Sequence, residues 1–547
     1  MEVGVLASYK SIKLIVRIKK NKVNYKMKYN LYFCKVNKHK ISYKDTELFS
    51  KLIIDYLSEN EKLSSFINHF PSLKDFGKQI EEQKKSKTNR NLLIDVLRNQ
   101  YSNLSVSDKV ENNIDLLKSE NTFTITTGHQ LCLFTGPLYF IYKIISTINL
   151  TEQLKKEYPE NNFVPIFWMA SEDHDFEEVN HIHLFGKKYE WNSDESGMVG
   201  DFNTSEISKI ISEISSILGD TENANSIIDL LRSCYKDNSL SDATRLLVNE
   251  LFGKYGIVIL DANDKELKKQ LLPIIKRDVL HQELTPIISE NTSSFSENYK
   301  PQAIVRNVNF FKLSEGKRER IQEVILEEEI ESNSEIFSPN VLMRPLYQEL
   351  ILPNIAYIGG GAEVAYWMQL KSVFKELNIV FPMLVLRNSV MWVEEKDYTK
   401  WNNLGFEIED IFLSENKLQN KFAETKSSVS LEKEKLQIEK IYQEITHKTQ
   451  DIGMKSSIDS ELTKQLNSIK KIERKLLKSE KQKHKISLNQ ISKIKQKLFP
   501  NNILQERFDN IIPFYFKYGE KFIETLKEEI DPLDTNFLIL SPQKNKQ

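Results

Sequence analysis

Residues 126–145, TTGHQLCLFTGPLYFIYKII, and residues 164–183, VPIFWMASEDHDFEEVNHIH, frame the stretch that decides the fold. A short apolar strand, Phe123 to Thr126, runs into a Gly-His pair read as a turn. A second turn at Gly136-Pro137 opens an aromatic-rich helix carrying Lys143. After a polar helical connection, a second apolar strand, Val164 to Ala170, ends in a dense cluster of acids and histidines. Strand, turn, helix, strand, with polar groups gathered at the strand ends, is how open α/β sheets build ligand sites. The pattern predicts a site for an anionic, nucleotide-like ligand.

The flanking sequence extends this frame. Residues 43–120 and 203–250 repeat apolar positions at helical spacing, whereas Gly256 to Asp264 (GIVILDAND) is a short β-branched run with a polar end. Residues 301–313 have the character of a hairpin, and Val380 to Val393 reads as strand, turn at Arg387, strand. Alternating strands and helices favour a mainly parallel sheet. From 411 to 500 the composition shifts to Lys, Glu, Gln and Ser. Leu431, Ile438, Ile445 and Ile452 lie seven apart, and Leu462, Ile469 and Leu476 resume the spacing. Lys483 breaks the row, and Ile491 and Leu498 restart it one place later. A seven-residue apolar repeat is a coiled-coil seam, and the slip is a phase discontinuity. A break near 453–457 predicts an antiparallel hairpin. The expected organisation is an N-terminal extension over 1–41, a core with inserted helices over 42–410, a coiled coil over 411–500, and a segment over 501–547 that returns to the core. The first 26 residues are basic and lack the long apolar stretch of a signal peptide. They read either as an ordinary N-terminal strand or as translation from an upstream start, with Met27 as the true one.

Composition excludes several classes. With Lys+Arg at 76 and Asp+Glu at 77, bulk charge offers nucleic acid nothing to bind. No apolar run approaches the roughly 18 residues of a membrane span. Cys34, Cys132 and Cys234 are too dispersed for a disulfide framework or a zinc site. A cytoplasmic protein is expected, binding neither membrane nor nucleic acid.

Three constellations carry the candidate chemistry. Gly128 and His129, with Gly136 and Lys143 nearby, suit an anion: glycine lets backbone approach closely and an imidazole can donate. The plain alternative is a structural turn. Asp173, His174, Asp175 and His181, in a cluster that also includes Glu172, Glu177, Glu178 and His183, follow the second strand. On a helix, His174 and His181 would share a face. The cluster reads as a divalent-metal site, as a metal-free acid/base site, or as a helix start rich in acids. With no HExxH or three-histidine set, the metal-free reading is taken. Arg344, the triplet Gly359, Gly360 and Gly361, and Arg387 form the third group, where guanidinium and backbone amides can hold carboxylate or phosphate. No P-loop, GxSxG or dinucleotide fingerprint is present.

These long motifs, together with residues 338–367 (SPNVLMRPLYQELILPNIAYIGGGAEVAYW), resemble the BshC family, the cysteine ligases of bacillithiol biosynthesis. The likeness spans about residues 41–547. It departs from the family pattern at His129, where Gln is commoner, and around Gly360, where the family has one fewer glycine. The resemblance implies a Rossmann-like core of the class I nucleotidyltransferase type, helical connecting insertions and a C-terminal antiparallel coiled coil that makes a homodimer. It implies ligation of L-cysteine to the amino group of glucosaminyl-malate. ATP with magnesium is the obvious activator of the carboxylate. On that reading the Gly128-His129 turn and Gly136 bind the nucleotide, and His174 or Asp175 takes the proton of the amine. Arg344, Lys143 or the triple-glycine amides then hold the malate. A nucleotidyltransferase-like enzyme for another amine, or a coiled-coil scaffold with a degenerate pocket, are the competing functions.

Overall fold

The computed structural model describes residues 35–314, 317–426 and 431–543; the two readings of the N-terminal extension fall outside them up to residue 34. The chain divides into two compact units. One comprises residues 40–390 and 506–538, the other residues 391–505 with the described flanks 35–39 and 539–543.

The larger unit is built on a parallel sheet. Its strands are β1 (Thr122–Gln130), β2 (Asn162–Ala170), β5 (Val258–Asp261), β9 (Asn354–Gly359) and β10 (Met383–Leu386), in the order β10-β9-β1-β2-β5. From β1 the chain adds β2 and then β5 on one side, and later returns to add β9 and β10 on the other. The topological switch point therefore lies between β1 and β9, where such sheets place their ligands. These strands are buried on both faces, which is why they read as near-continuous apolar runs. Phe123, Ile125, Phe163, Ile355, Ile358, Met383 and Val385 pack in one buried cluster with Leu150 and Leu154 of helix α1 (Tyr139–Glu157). Two antiparallel hairpin systems decorate the core: β3 (His181–Leu184) with β4 (Lys187–Glu190), and β6 (Phe310–Ser314) between β7 (Lys317–Arg320) and β8 (Phe337–Pro339).

Two local expectations need correction. Gly128-His129 is no turn: β1 runs to Gln130 in unbroken register with β2, because Thr127 and Gly128 keep pairing with Phe167 and Trp168. His174 and His181 do not share a helix face. A single helical turn, Phe176–Val179, separates them, and His181 starts β3.

In the smaller unit a short helix, Glu395–Asn403, precedes α4 (Glu415–Lys426), α5 (Glu432–Thr446), α6 (Ile452–Lys483) and α7 (Lys485–Leu498). Helices α5 and α6 form an antiparallel hairpin, with Lys435 2.9 Å from Glu473 across it. The turn precedes the expected 453–457. Asp451 caps α6 by accepting the Met454 amide at 2.8 Å, so Gly453 falls inside the first helical turn. The slip in the seven-residue repeat at Lys483 coincides with the interruption at His484. Neither α5 nor α6 has a buried residue; Leu436 is 63% exposed and Ile452 84%.

Within the larger unit, the segment after residue 505 supplies Glu506, wholly buried, to Arg387, whose two terminal nitrogens donate to it at 2.8 and 3.1 Å. Ser389 and the Val390 amide also donate to this carboxylate. Removing one partner of such a pair strands a buried charge. Glu506→Gln is expected to destabilise the protein by about 3–5 kcal/mol in urea unfolding, and replacing both residues by apolar ones should cost less than that single change. An unchanged midpoint for Glu506→Gln would contradict the pairing.

Candidate active site at the switch point of the sheet

The C-terminal ends of β1, β2, β5 and β9 surround a cavity of about 330 Å³. Its lining includes Gly128 and His129 from β1, Trp168 from β2, Glu172 and Asp173 beyond it, Asn263 after β5, Tyr357 from β9, and Arg318, Arg344, Glu363 and Tyr366.

Its foundation is an ion pair between a buried lysine and a partly buried glutamate. Lys143, only 3% exposed on α1, reaches Glu363 on helix α3 (Gly361–Met368) at 2.7 Å and also donates to the Gly128 carbonyl. Glu363 receives the Tyr357 hydroxyl at 2.5 Å and the Gly360 amide at 2.7 Å. Burial alone would raise this carboxyl, but Lys143, Tyr357 and Gly360 outweigh it and pull it down to about 2. Lys143 and the Gly360 amide thus serve an internal carboxylate, which corrects their expected role as ligand contacts. The Gly359 carbonyl accepts the Arg387 amide, and Gly361 opens α3 and lines a different cavity, as does Arg387. Arg387 is likewise corrected, because Glu506 takes its guanidinium.

His129 also differs from expectation. Burial, and then the charge of Lys143, pull it down to about 4, so it is neutral at pH 7. Its Nδ1 lies 2.9 Å from the Gln130 carbonyl, which can only accept, so Nδ1 carries the proton. Nε2 is left as an acceptor, which is the wrong polarity for a phosphate. Gly136 lies outside the cavity. Its φ of +62° and the closeness of Cys132, 2.6 Å from any added Cβ, explain the glycine there. His174 and Asp175 are exposed and His181 lies on β3; none lines the cavity. His174 is one contact away, its Nδ1 3.3 Å from Arg318.

The predicted residues that the structure does bring to the cavity are Gly128, His129, Asp173 and Arg344. Asp173 accepts from Gln130 at 2.7 Å and from the His174 and Asp175 amides, the His174 ring lies 3.8 Å away, and among the described residues no lysine or arginine is within ion-pair distance of it. Glu172 is paired with Lys268. Arg344, on helix α2 (Met343–Ile351), is boxed by Trp168, Tyr357 and Trp367 at 5.3–5.9 Å and donates to Gln348 and Tyr366 at 3.0 and 3.1 Å. Arg318 donates to Ser338 and to the Pro339 carbonyl. Among the described residues, neither arginine has a carboxylate within ion-pair distance. Sequence reasoning missed Arg318, which sits in a charge-rich run (KRER) that looks solvated, and gave no role to Glu363, which closes the Gly359-Gly360-Gly361-Ala362-Glu363 motif and reads as an ordinary acid in a first helical turn. Among the described residues no group of three or more His, Cys, Asp or Glu is placed to hold a metal.

A chain of hydrogen bonds orients Arg344. Gln348 passes from Arg344 to Glu349 at 2.7 Å, and Asn354 joins Glu349 at 2.8 Å while accepting from Thr124 and Thr126 of β1. Burial pushes Glu349 up to about 8, against an ordinary 4.5, so it is protonated at neutral pH. The folded state then holds a proton that the unfolded chain has released. This contribution is complete below about pH 4.5 and is lost as the pH rises through about 8. Glu349→Gln is expected to flatten the fall in unfolding free energy between about pH 4.5 and 8. A variant that loses stability as steeply as the wild type would contradict a protonated Glu349.

Comparison with known proteins agrees with this architecture. Residues 36–388 match the family model described as "Bacillithiol biosynthesis BshC, N-terminal Rossmann-like domain", and residues 390–542 match "Bacillithiol biosynthesis BshC, C-terminal coiled-coil domain". A protein of Christiangramia forsetii named "Putative cysteine ligase BshC" is 45% identical, with 92% of this chain and 98% of that protein covered. One of the same name from Flavobacterium johnsoniae is 42% identical, covering 92% and 99%. With a parallel sheet, a heptad hairpin and a match across nearly its whole length, the chain belongs to the BshC family of bacillithiol biosynthesis.

Proposed function

We propose that this protein is a cysteine ligase that joins the carboxylate of L-cysteine to the amino group of glucosaminyl-malate. The observation that carries the reading is the cavity's charge inventory among the described residues: two guanidiniums with no carboxylate in ion-pair distance, and one carboxylate, Asp173, with no lysine or arginine there and only the exposed His174 at 3.8 Å. A ligand bearing both carboxylates and an amine complements that set. The names of the relatives support the same chemistry.

In this reading Arg344 and Arg318 hold the malate carboxylates by charge-assisted hydrogen bonds. His129 Nε2 and Asp173 receive the substrate ammonium, and Asp173 takes its proton, since only the free amine attacks the acyl carbon. This moves the base from His174 or Asp175 to the neighbouring residue that lines the cavity. The arginines also suit the phosphates of ATP, which with magnesium would supply the leaving group that makes the cysteine carboxylate acylating.

The exposed apolar residues of the helical hairpin support a homodimer, since a seam left uncovered by its own chain needs a second one.

Purified protein with cysteine, glucosaminyl-malate, ATP and magnesium should form product with stoichiometric AMP, followed by mass spectrometry, and none when ATP is omitted. Asp173→Asn should lower kcat by about 10²–10⁴-fold. Arg344→Met should raise KM for glucosaminyl-malate by about 10–100-fold, as expected for lost hydrogen bonds to a charged group. Full turnover by Asp173→Asn would remove that residue from the reaction. Leu436→Glu combined with Ile441→Glu should halve the mass seen by light scattering; a mass unchanged from a dimeric wild type would place the contact elsewhere.

A further inference from the structure

A groove of about 730 Å³ adjoins the cavity, and Arg318, Asn340 and Val341 line both. Arg306, Arg318 and Arg320 line the groove, and among the described residues no aspartate or glutamate does. The hairpin of β6 and β7 produces this segregation. Side chains alternate along a strand, so Arg318 and Arg320 share one face while Glu319, paired in register with Lys312, takes the other. Phe311 lies opposite Arg320 and carries both guanidiniums over its ring, at 4.1 Å for Arg318 and 5.7 Å for Arg320. The two cations are thereby held within about 10 Å of each other. Nearby acids are engaged elsewhere, Glu323 and Glu329 with Lys312 and Glu172 with Lys268. Among the described residues, none of the three arginines has a carboxylate within ion-pair distance. Glu172 and Asp173 act on Arg318 only from beyond ion-pair distance, so the like charges held side by side keep a repulsion that a bound anion would relieve.

We propose that this groove binds a condensed phosphate, two or more linked phosphoryl groups, with Arg318 at the end that adjoins the cavity. A dicarboxylate is satisfied by two guanidiniums, whereas three along an open groove match a longer run of charge, and the guanidinium fork fits phosphoryl oxygens in pairs. The phosphate chain of a nucleoside triphosphate and free pyrophosphate share this chemistry. The ligase reading bears only on which of them is bound.

The test is calorimetry on the full-length protein with inorganic tripolyphosphate, orthophosphate and malate as separate probes. Tripolyphosphate should bind one per chain, far more tightly than orthophosphate. The exposed pair Arg306→Gln with Arg320→Gln should weaken it at least tenfold without altering malate binding, and Arg344→Gln should weaken malate. Displacement of tripolyphosphate by ATP but not by adenosine assigns the groove to a nucleotide, and displacement by pyrophosphate alone assigns it to free pyrophosphate. Tripolyphosphate binding that is absent, no tighter than orthophosphate, or unchanged in the double variant overturns the proposal. Malate that does not bind overturns the ligase reading of the cavity, while the tripolyphosphate result still decides the groove.

Discussion

The Lys143–Glu363 pair is the contact on which the site rests. It joins α1, which follows the first strand of the sheet, to α3, which follows the strand added on the opposite side. Lys143 is removed from water and Glu363 largely so, which is costly unless their remaining hydrogen-bonding capacity is met. Here the Gly128 carbonyl, the Tyr357 hydroxyl and the Gly360 amide meet it. Every one of those groups lies at a strand end around the switch point. The pair therefore sets the spacing between β1 and β9 where the cavity opens, and it keeps Tyr357 on the wall against which Arg344 lies.

Around that fixed point the charges divide into two classes. Lys143, Glu363, Glu172, Lys268, Arg387 and Glu506 are neutralised within the protein. Arg344 and Arg318 are held by neutral partners and aromatic faces, which orient a guanidinium without cancelling it. A side chain immobilised in this way has little entropy left to lose on meeting an anion.

Much of this was legible in the chain. The apolar strands, the Gly-Pro turn before α1 and the seven-residue repeat each follow from local periodicity, and the family motifs add their order. What was not legible depended on partners far away in sequence. Lys143 reads as a ligand contact until Glu363, 220 residues later, occupies it. Arg387 awaits Glu506 in the same way. His129 looks like a donor because nothing local announces that the Gln130 carbonyl takes its proton. Arg318 was passed over for the opposite reason: a run of charges looks solvated until the hairpin register sorts its alternate residues onto two faces.

The division of the chain has a consequence for biosynthesis. The larger unit is interrupted by residues 391–505 and closes only with residues 506–538. A nascent polypeptide emerging from the ribosome must hold Arg387 without its counter-ion until Glu506, 119 residues later, has been added. The larger unit therefore cannot reach its final electrostatic state vectorially, and a chain stopped anywhere in the helical hairpin leaves a core whose Arg387 guanidinium lacks this counter-ion.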